Sequence, residues 1–176
     1  GNASPAVSVQ SGGALIVAGV LTAVGTVEAT GTTSFGGSGD IAGDLVVLSG
    51  VATVLGDPTP GNASDLTVDD VDVQDGAGLS LGTNAMLHAT GAAGATFTGT
   101  TTLSGTGSLD GDVATVASPG ADTLSASGGV SVTGDLTVAA GTTLDLVNSL
   151  LVAGNVTVAA TGVLDGAGAL TLDGVS

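Results

Sequence analysis

The sequence predicts an all-β fold, a right-handed parallel β-solenoid with rungs of about twenty residues, on three observations. First, "VSVTGDLTVAAGTTLDLVNS" (130–149) and "LLVAGNVTVAATGVLDGAGA" (150–169) abut and agree at eight of twenty positions. Chance agreement in so biased a composition is roughly two or three positions. Second, "GDLTVAA" and "GNVTVAA" alternate apolar and polar residues, with Leu136 and Val138 inward and Thr137 outward, which is the period of a half-buried strand. Third, Gly with Asp or Asn recurs at the breaks, where a chain turns sharply, and a helix this rich in Gly, Thr and Val would be poor. Short strands at a fixed interval stack residue on equivalent residue, about 4.8 Å apart.

Taken in chain order, 1–13 reads as an N-terminal arm, its alternating Val7 and Val9 set between Pro5 and the Gly12-Gly13 pair. The solenoid domain is expected over 14–176. "LIVAGVLTA" (15–23) matches "LLVAGNVTV" (150–158) at Leu, Val, Ala, Gly and Thr, and "AGDLVV" (42–47) echoes "TGDLTV" (133–138). Between them spacings drift. "GDPTPGNASD" (56–65), with two prolines and Gly-Asn, is expected as an exposed insertion loop. "LDGDVATV" (109–116) is a further variant, and "LTLDG" (170–174) begins another copy. The competing fold is a pilin-like antiparallel β-sandwich with a donated N-terminal strand, also built of short Val/Thr strands and Gly turns.

Composition excludes whole classes of function. The 176 residues contain no Lys, Arg, Cys, Trp or Tyr, and the sixteen acids are fifteen Asp and Glu28, giving a net charge of −16. Without basic residues there is no means of neutralising phosphates, so nucleic acid is not a partner. No stretch reaches the roughly 18 consecutive apolar residues of a spanning helix, so no membrane insertion is expected. Gly1 follows no basic and apolar leader, as in a mature chain after signal removal. Mean hydropathy is +0.61, which calls for something to cover the surface: neighbouring subunits, attached sugar, or both.

The phrase Gly-Asp/Asn-Leu/Val-Thr-Val followed by Gly-Thr-Leu resembles the β-helical repeat regions of bacterial surface proteins, the autotransporter and filamentous haemagglutinin-like adhesins. The resemblance is one of repeat style and is strongest over 130–174. It implies secretion and an extracellular or cell-surface location.

Candidate site residues are few. His88, in "NAMLHATG", has no nucleophile or acid at motif spacing and reads as a passive strand or turn histidine. "DDVDVQDG" (69–76) sets Asp70, Asp72 and Gln74 on one strand face, a calcium candidate weighed against a solvated outer face; Asp75 stands where an EF-hand loop needs Gly. The Asp145/Asp165 column would stack like charges at rung spacing and invite a cation. "GGSGDIAGD" (36–44) is a single, out-of-register likeness to calcium-binding nonapeptides. Three of the five asparagines, Asn2, Asn62 and Asn155, lie in Asn-X-Ser/Thr sequons, making covalent glycans the expected modification.

These readings converge on a non-catalytic structural subunit of an extracellular filament, stacking head to tail and glycosylated, with no cofactor unless calcium. Val7 and Val9 at one end and Leu170 and Leu172 at the other are the expected assembly residues. The alternative is an adhesin or an ice-binding module presenting outward threonines such as Thr137 and Thr157.

Overall fold

The computed structural model describes residues 7–59, 61–119 and 122–173. Among them are 21 strands and no helix. The strands follow one another in eight rungs, three strand segments to a rung. The first rung runs through β1 (Val7–Val9), β2 (Ala14–Val17) and the start of β3 (Val20–Thr30). The second takes the rest of β3, then β4 (Thr33–Gly37) and the start of β5 (Asp40–Val54). The middle and end of β5 belong to the third, completed by β6 (Asp65–Val68).

Later rungs have three separate strands each. The fourth comprises β7 (Val71–Val73), β8 (Ala77–Leu81) and β9 (Met86–Ala89); the fifth, β10 (Ala95–Thr98), β11 (Thr101–Gly105) and β12 (Ser108–Asp110). The sixth holds β13 (Val113–Val116), β14 (Asp122–Ala126) and β15 (Ser131–Val132). The seventh and eighth are β16 (Leu136–Val138), β17 (Thr142–Leu146) and β18 (Leu150–Val152), then β19 (Val156–Val158), β20 (Val163–Asp165) and β21 (Leu170–Leu172).

Every strand pairing among the described residues is parallel and joins equivalent strands of successive rungs. The fold is therefore a parallel β-solenoid with three faces, not the antiparallel sandwich. Its β1 pairs with β3 of the same chain, Val7 on Val27 and Val9 on Ala29, so residues 7–9 are part of the first rung. The twenty-residue step holds at the start and over the last rungs, as in Leu136 on Val156 and Leu144 on Leu164. Elsewhere the step ranges from 18 (Val27 to Leu45) to 27 (Asp40 to Thr67). The corners absorb the difference; the largest excursion, 55–64, lies between the second and third faces of rung three.

Stacking makes columns inside the rod. On the first face Val27, Leu45, Val71, Ala95, Val113 and Leu136 follow one another, each 1 % exposed or less. Each such Val or Leu contributes about 1.5–3 kcal/mol when fully buried. Phe35 and Phe97 are both buried. The core is not wholly apolar. Thr115 Oγ1 donates to Thr142 Oγ1 (2.5 Å), which donates to Ala139 O (2.9 Å), while Ala139 N donates back to Thr115 Oγ1 (2.8 Å). That closed ring satisfies two buried hydroxyls. Thr33 Oγ1 and Thr101 Oγ1 have no such partner and are fully enclosed.

Turns between the second and third faces bring backbone against backbone. At Gly105, with φ of +104°, a Cβ would lie 1.9 Å from the Leu81 carbonyl oxygen one rung below. Only glycine fits there. Gly105→Ala is expected to lower stability by about 1–3 kcal/mol or more, whereas Thr101→Val should raise it by about 1 kcal/mol by removing an unpaired buried hydroxyl. Urea unfolding midpoints of the two variants against the parent check both signs.

Candidate functional site

The corner between the third and first faces explains the recurring Gly-Asp/Asn phrase. The acid at this corner turns its side chain along the stack and accepts backbone N–H groups of the following rung. Asp112 Oδ1 accepts from Asp135 N (2.9 Å), and Asp135 Oδ1 accepts from Asn155 N (2.7 Å) and Asn155 Nδ2 (3.1 Å). Asp70 Oδ1 accepts from both Ala93 N and Gly94 N at 3.0 Å. Asp75 does the same at the next corner, with Thr100 N at 2.8 Å. By accepting N–H groups of the following rung, these acids act as rung-to-rung caps.

This geometry separates the calcium candidates. Asp70 is spent on the backbone at a corner, while Asp72 lies on the first face and accepts from Gln74 Nε2 (2.5 Å) and Thr96 Oγ1 (3.5 Å). Asp145 does stack directly on Asp165, with Ser125 on the preceding rung, and Asp165 Oδ1 accepts from Gly166 N (2.7 Å). No group of three His, Cys, Asp or Glu side chains that could hold a metal occurs among the described residues.

Of the sequons, Asn2 lies outside the described residues. Asn62 is exposed in the 55–64 excursion, where its N–H donates to Thr59 O (3.2 Å), while Ser64 of the same sequon is buried. Asn155 and Thr157 are both exposed, and the Asn155 amide rests on Asp135. The outward file of the first face reads Ser8, Glu28, Val46, Asp72, Thr96, Ala114, Thr137, Thr157, so threonine recurs without forming a continuous row. On the second face a short hydroxyl file runs Ser34, Thr53, Ser80, Ser104.

His88 is not a passive strand residue. It points outward from the third face between two carboxylates from neighbouring rungs: Nε2 is 2.8 Å from Asp65 Oδ1 and Nδ1 is 2.7 Å from Asp110 Oδ2. Thr133 Oγ1, from the rung after Asp110, donates to Asp110 Oδ1. Partial burial opposes the imidazole's charge, but the hydrogen bonds to Asp110 and Asp65 and their negative charges outweigh it and raise its pKa above 6.5. Asp110 is held below 3.8 by the Thr133 hydroxyl and by His88, against a smaller opposing effect of burial. The partners escape a motif search because they sit 23 residues before and 22 after His88, one rung either way in the irregular part of the stack.

At the last described rung, the side chains that face the core elsewhere lie open. Leu172, Val158 and Leu164 are 60 %, 41 % and 43 % exposed, whereas Val152, Val138 and Leu144, directly beneath them, are 0 % exposed. Leu170 is half-buried on Leu150. In the first rung Val7, Leu15 and Leu21 are half-buried and Val9 is buried. No helix is long and apolar enough to cross a membrane among the described residues. No protein family, curated protein or solved structure matches the chain.

Asp135 gives the simplest test of the corner ladder. Asp135→Ala is expected to cost about 1 kcal/mol by leaving the Asn155 N–H without its acceptor. Asp135→Asn, which keeps an acceptor oxygen, should cost less than half of that. Thermal unfolding of the two variants distinguishes a hydrogen-bonding role from a purely surface acid, for which both would be neutral.

Proposed function

We propose that the chain is a non-catalytic structural module of a secreted or cell-surface fibre, in which copies stack end to end and carry N-linked sugar. One observation carries this reading: the described residues form a one-dimensional parallel stack in which each rung covers the one before, with Val158, Leu164 and Leu172 lying directly over the buried Val138, Leu144 and Val152. The first rung supplies matching inward residues on the same three faces, Val7 and Val9, Leu15 and Val17, and Leu21. A second copy placed there would continue the parallel ladder and bury the exposed Leu and Val side chains. A heterologous contact of this kind makes an open filament if it does not close into a ring.

Electrostatics support the same direction of growth. The flanks of a rod carrying a net charge of −16 repel one another, which disfavours side-by-side association. The likeness of the repeat phrases to autotransporter and haemagglutinin-like adhesins supports a surface location. Sugar on Asn62 or Asn155 would lie on exposed positions and add solubility to a chain of mean hydropathy +0.61.

Electron microscopy of the purified chain should show filaments with an axial repeat on the order of 40 Å, eight rungs at the strand spacing. Leu172→Asp combined with Leu164→Asp should abolish them while leaving the β-rich circular dichroism spectrum intact. Monomeric particles at every concentration would overturn the assembly reading. For the sugar, intact mass of native material should exceed the 16.1 kDa of the polypeptide; equality removes glycosylation from the proposal.

A further inference from the structure

His88 is the only side chain in the sequence that can carry a positive charge at neutral pH. Its two ring nitrogens each meet a carboxylate oxygen, at 2.8 Å and 2.7 Å. A neutral imidazole has one donor and one acceptor nitrogen, and an ionised carboxylate only accepts. Both contacts therefore exist together only when the ring is the imidazolium, with a proton on each nitrogen. The three groups belong to three successive rungs: Asp65 opens β6, His88 lies in β9 and Asp110 closes β12.

Asp65 is also the first residue after the 55–64 excursion, the longest detour in the stack. At its start the excursion is tied to the rod by Leu55 N donating to Phe35 O (2.8 Å), Asp57 N to Thr83 O (2.9 Å) and Asn84 Nδ2 to Asp57 O (2.9 Å), and its return is tied at Ser64. Ser64 N donates to Leu55 O (3.0 Å), and Met86 N, two residues before His88, donates to Ser64 O (2.8 Å). Other groups near the imidazole do not compete for it. Thr67 stacks on His88 from β6, and Asp40 lies one rung further along the same file. Ser108 of β12 stacks on Met86, and Thr133 is bonded to Asp110. Asp70 is engaged with the Ala93 and Gly94 amides.

We propose that Asp65, His88 and Asp110 form a proton-operated clasp across three rungs, closing the return of the 55–64 segment onto the third face while the imidazole is charged and releasing it when the proton leaves. Loss of the proton converts one of the two bonds into a contact between a lone pair and a carboxylate, so the neutral ring can hold only one of Asp65 and Asp110 and the bridge across three rungs is broken. Because the histidine's pKa is raised by folding, its contribution is complete below 6.5 and is lost as pH rises through the higher folded value. The lowered pKa of Asp110 means that its share is present above 3.8 and is lost as pH falls below that. The clasp is thus closed between these two values and opens on the alkaline side.

A single histidine makes the test direct. In nuclear magnetic resonance titrations of the full chain, the His88 ring should titrate above 6.5 when folded and near 6.5 in urea. Asp65→Asn and Asp110→Asn should each move the folded midpoint down. Amide exchange at Met86 and Ser64, corrected for the intrinsic pH dependence, should show a several-fold loss of protection across that midpoint. The step should be missing in His88→Gln. A folded midpoint at or below 6.5, or an Asn variant that leaves it unmoved, would overturn the charged clasp. An exchange step of equal size in His88→Gln would overturn the release of the segment. Should His88→Gln fail to fold, Asp65→Asn replaces it, since its step must then shift with its own ring midpoint or the proposal fails.

Discussion

The structure depends on one constraint, the parallel hydrogen-bond ladder that places each residue on its equivalent in the next rung. Once Val113 sits on Ala95 and Leu136 on Val113, whether a side chain is inside or outside is decided for the whole column at once. A one-residue slip would turn Leu136 out and Thr137 in. Columns of Val and Leu then supply a continuous apolar interior, into which Phe35 and Phe97 also fit. The same ladder satisfies the backbone along the length of the rod, leaving only corners and edges to be dealt with by side chains.

Corners are where the acids go. Stacking acids at rung spacing would be costly in a chain with no Lys or Arg. Asp112, Asp135 and Asp70 relieve that cost by taking backbone N–H groups of the next rung as their partners, in place of cationic side chains. The arrangement makes rung cohesion partly electrostatic without any conventional ion pair. Among the described residues only His88 forms ion pairs, and it does so on both sides.

Legibility in the sequence follows how constant the step is. Rungs seven and eight were readable because strands and corners there keep one length, so that Thr137 over Thr157 and Asp145 over Asp165 line up in a simple alignment. Alternation placed Leu136 and Val138 inside, and both are buried. Rungs three to six yielded only isolated phrases such as "AGDLVV" and "LDGDVATV", because steps between 18 and 27 residues break any fixed-period alignment while leaving the strand register intact. The strand carrying Val7 and Val9 could be read as an arm but not given a partner, since nothing local says that Val27 and Ala29 are its neighbours. Asp65 and Asp110 were invisible as partners of His88 for the same reason, and Asp70 seemed to share a face with Asp72 because parity alone does not reveal a corner.

Variation in corner length has an energetic consequence that uniform repeats escape. In a solenoid each rung is stabilised chiefly by its two neighbours, so a long excursion weakens the stack where it occurs. Loop closure adds a cost that grows with length, though slowly. Rung three carries the longest excursion and is bordered by β9, whose His88 reaches back to Asp65 and forward to Asp110. The one residue capable of positive charge is therefore placed where the one-dimensional ladder is least continuous. A brace at that point couples rungs three, four and five through side chains as well as backbone.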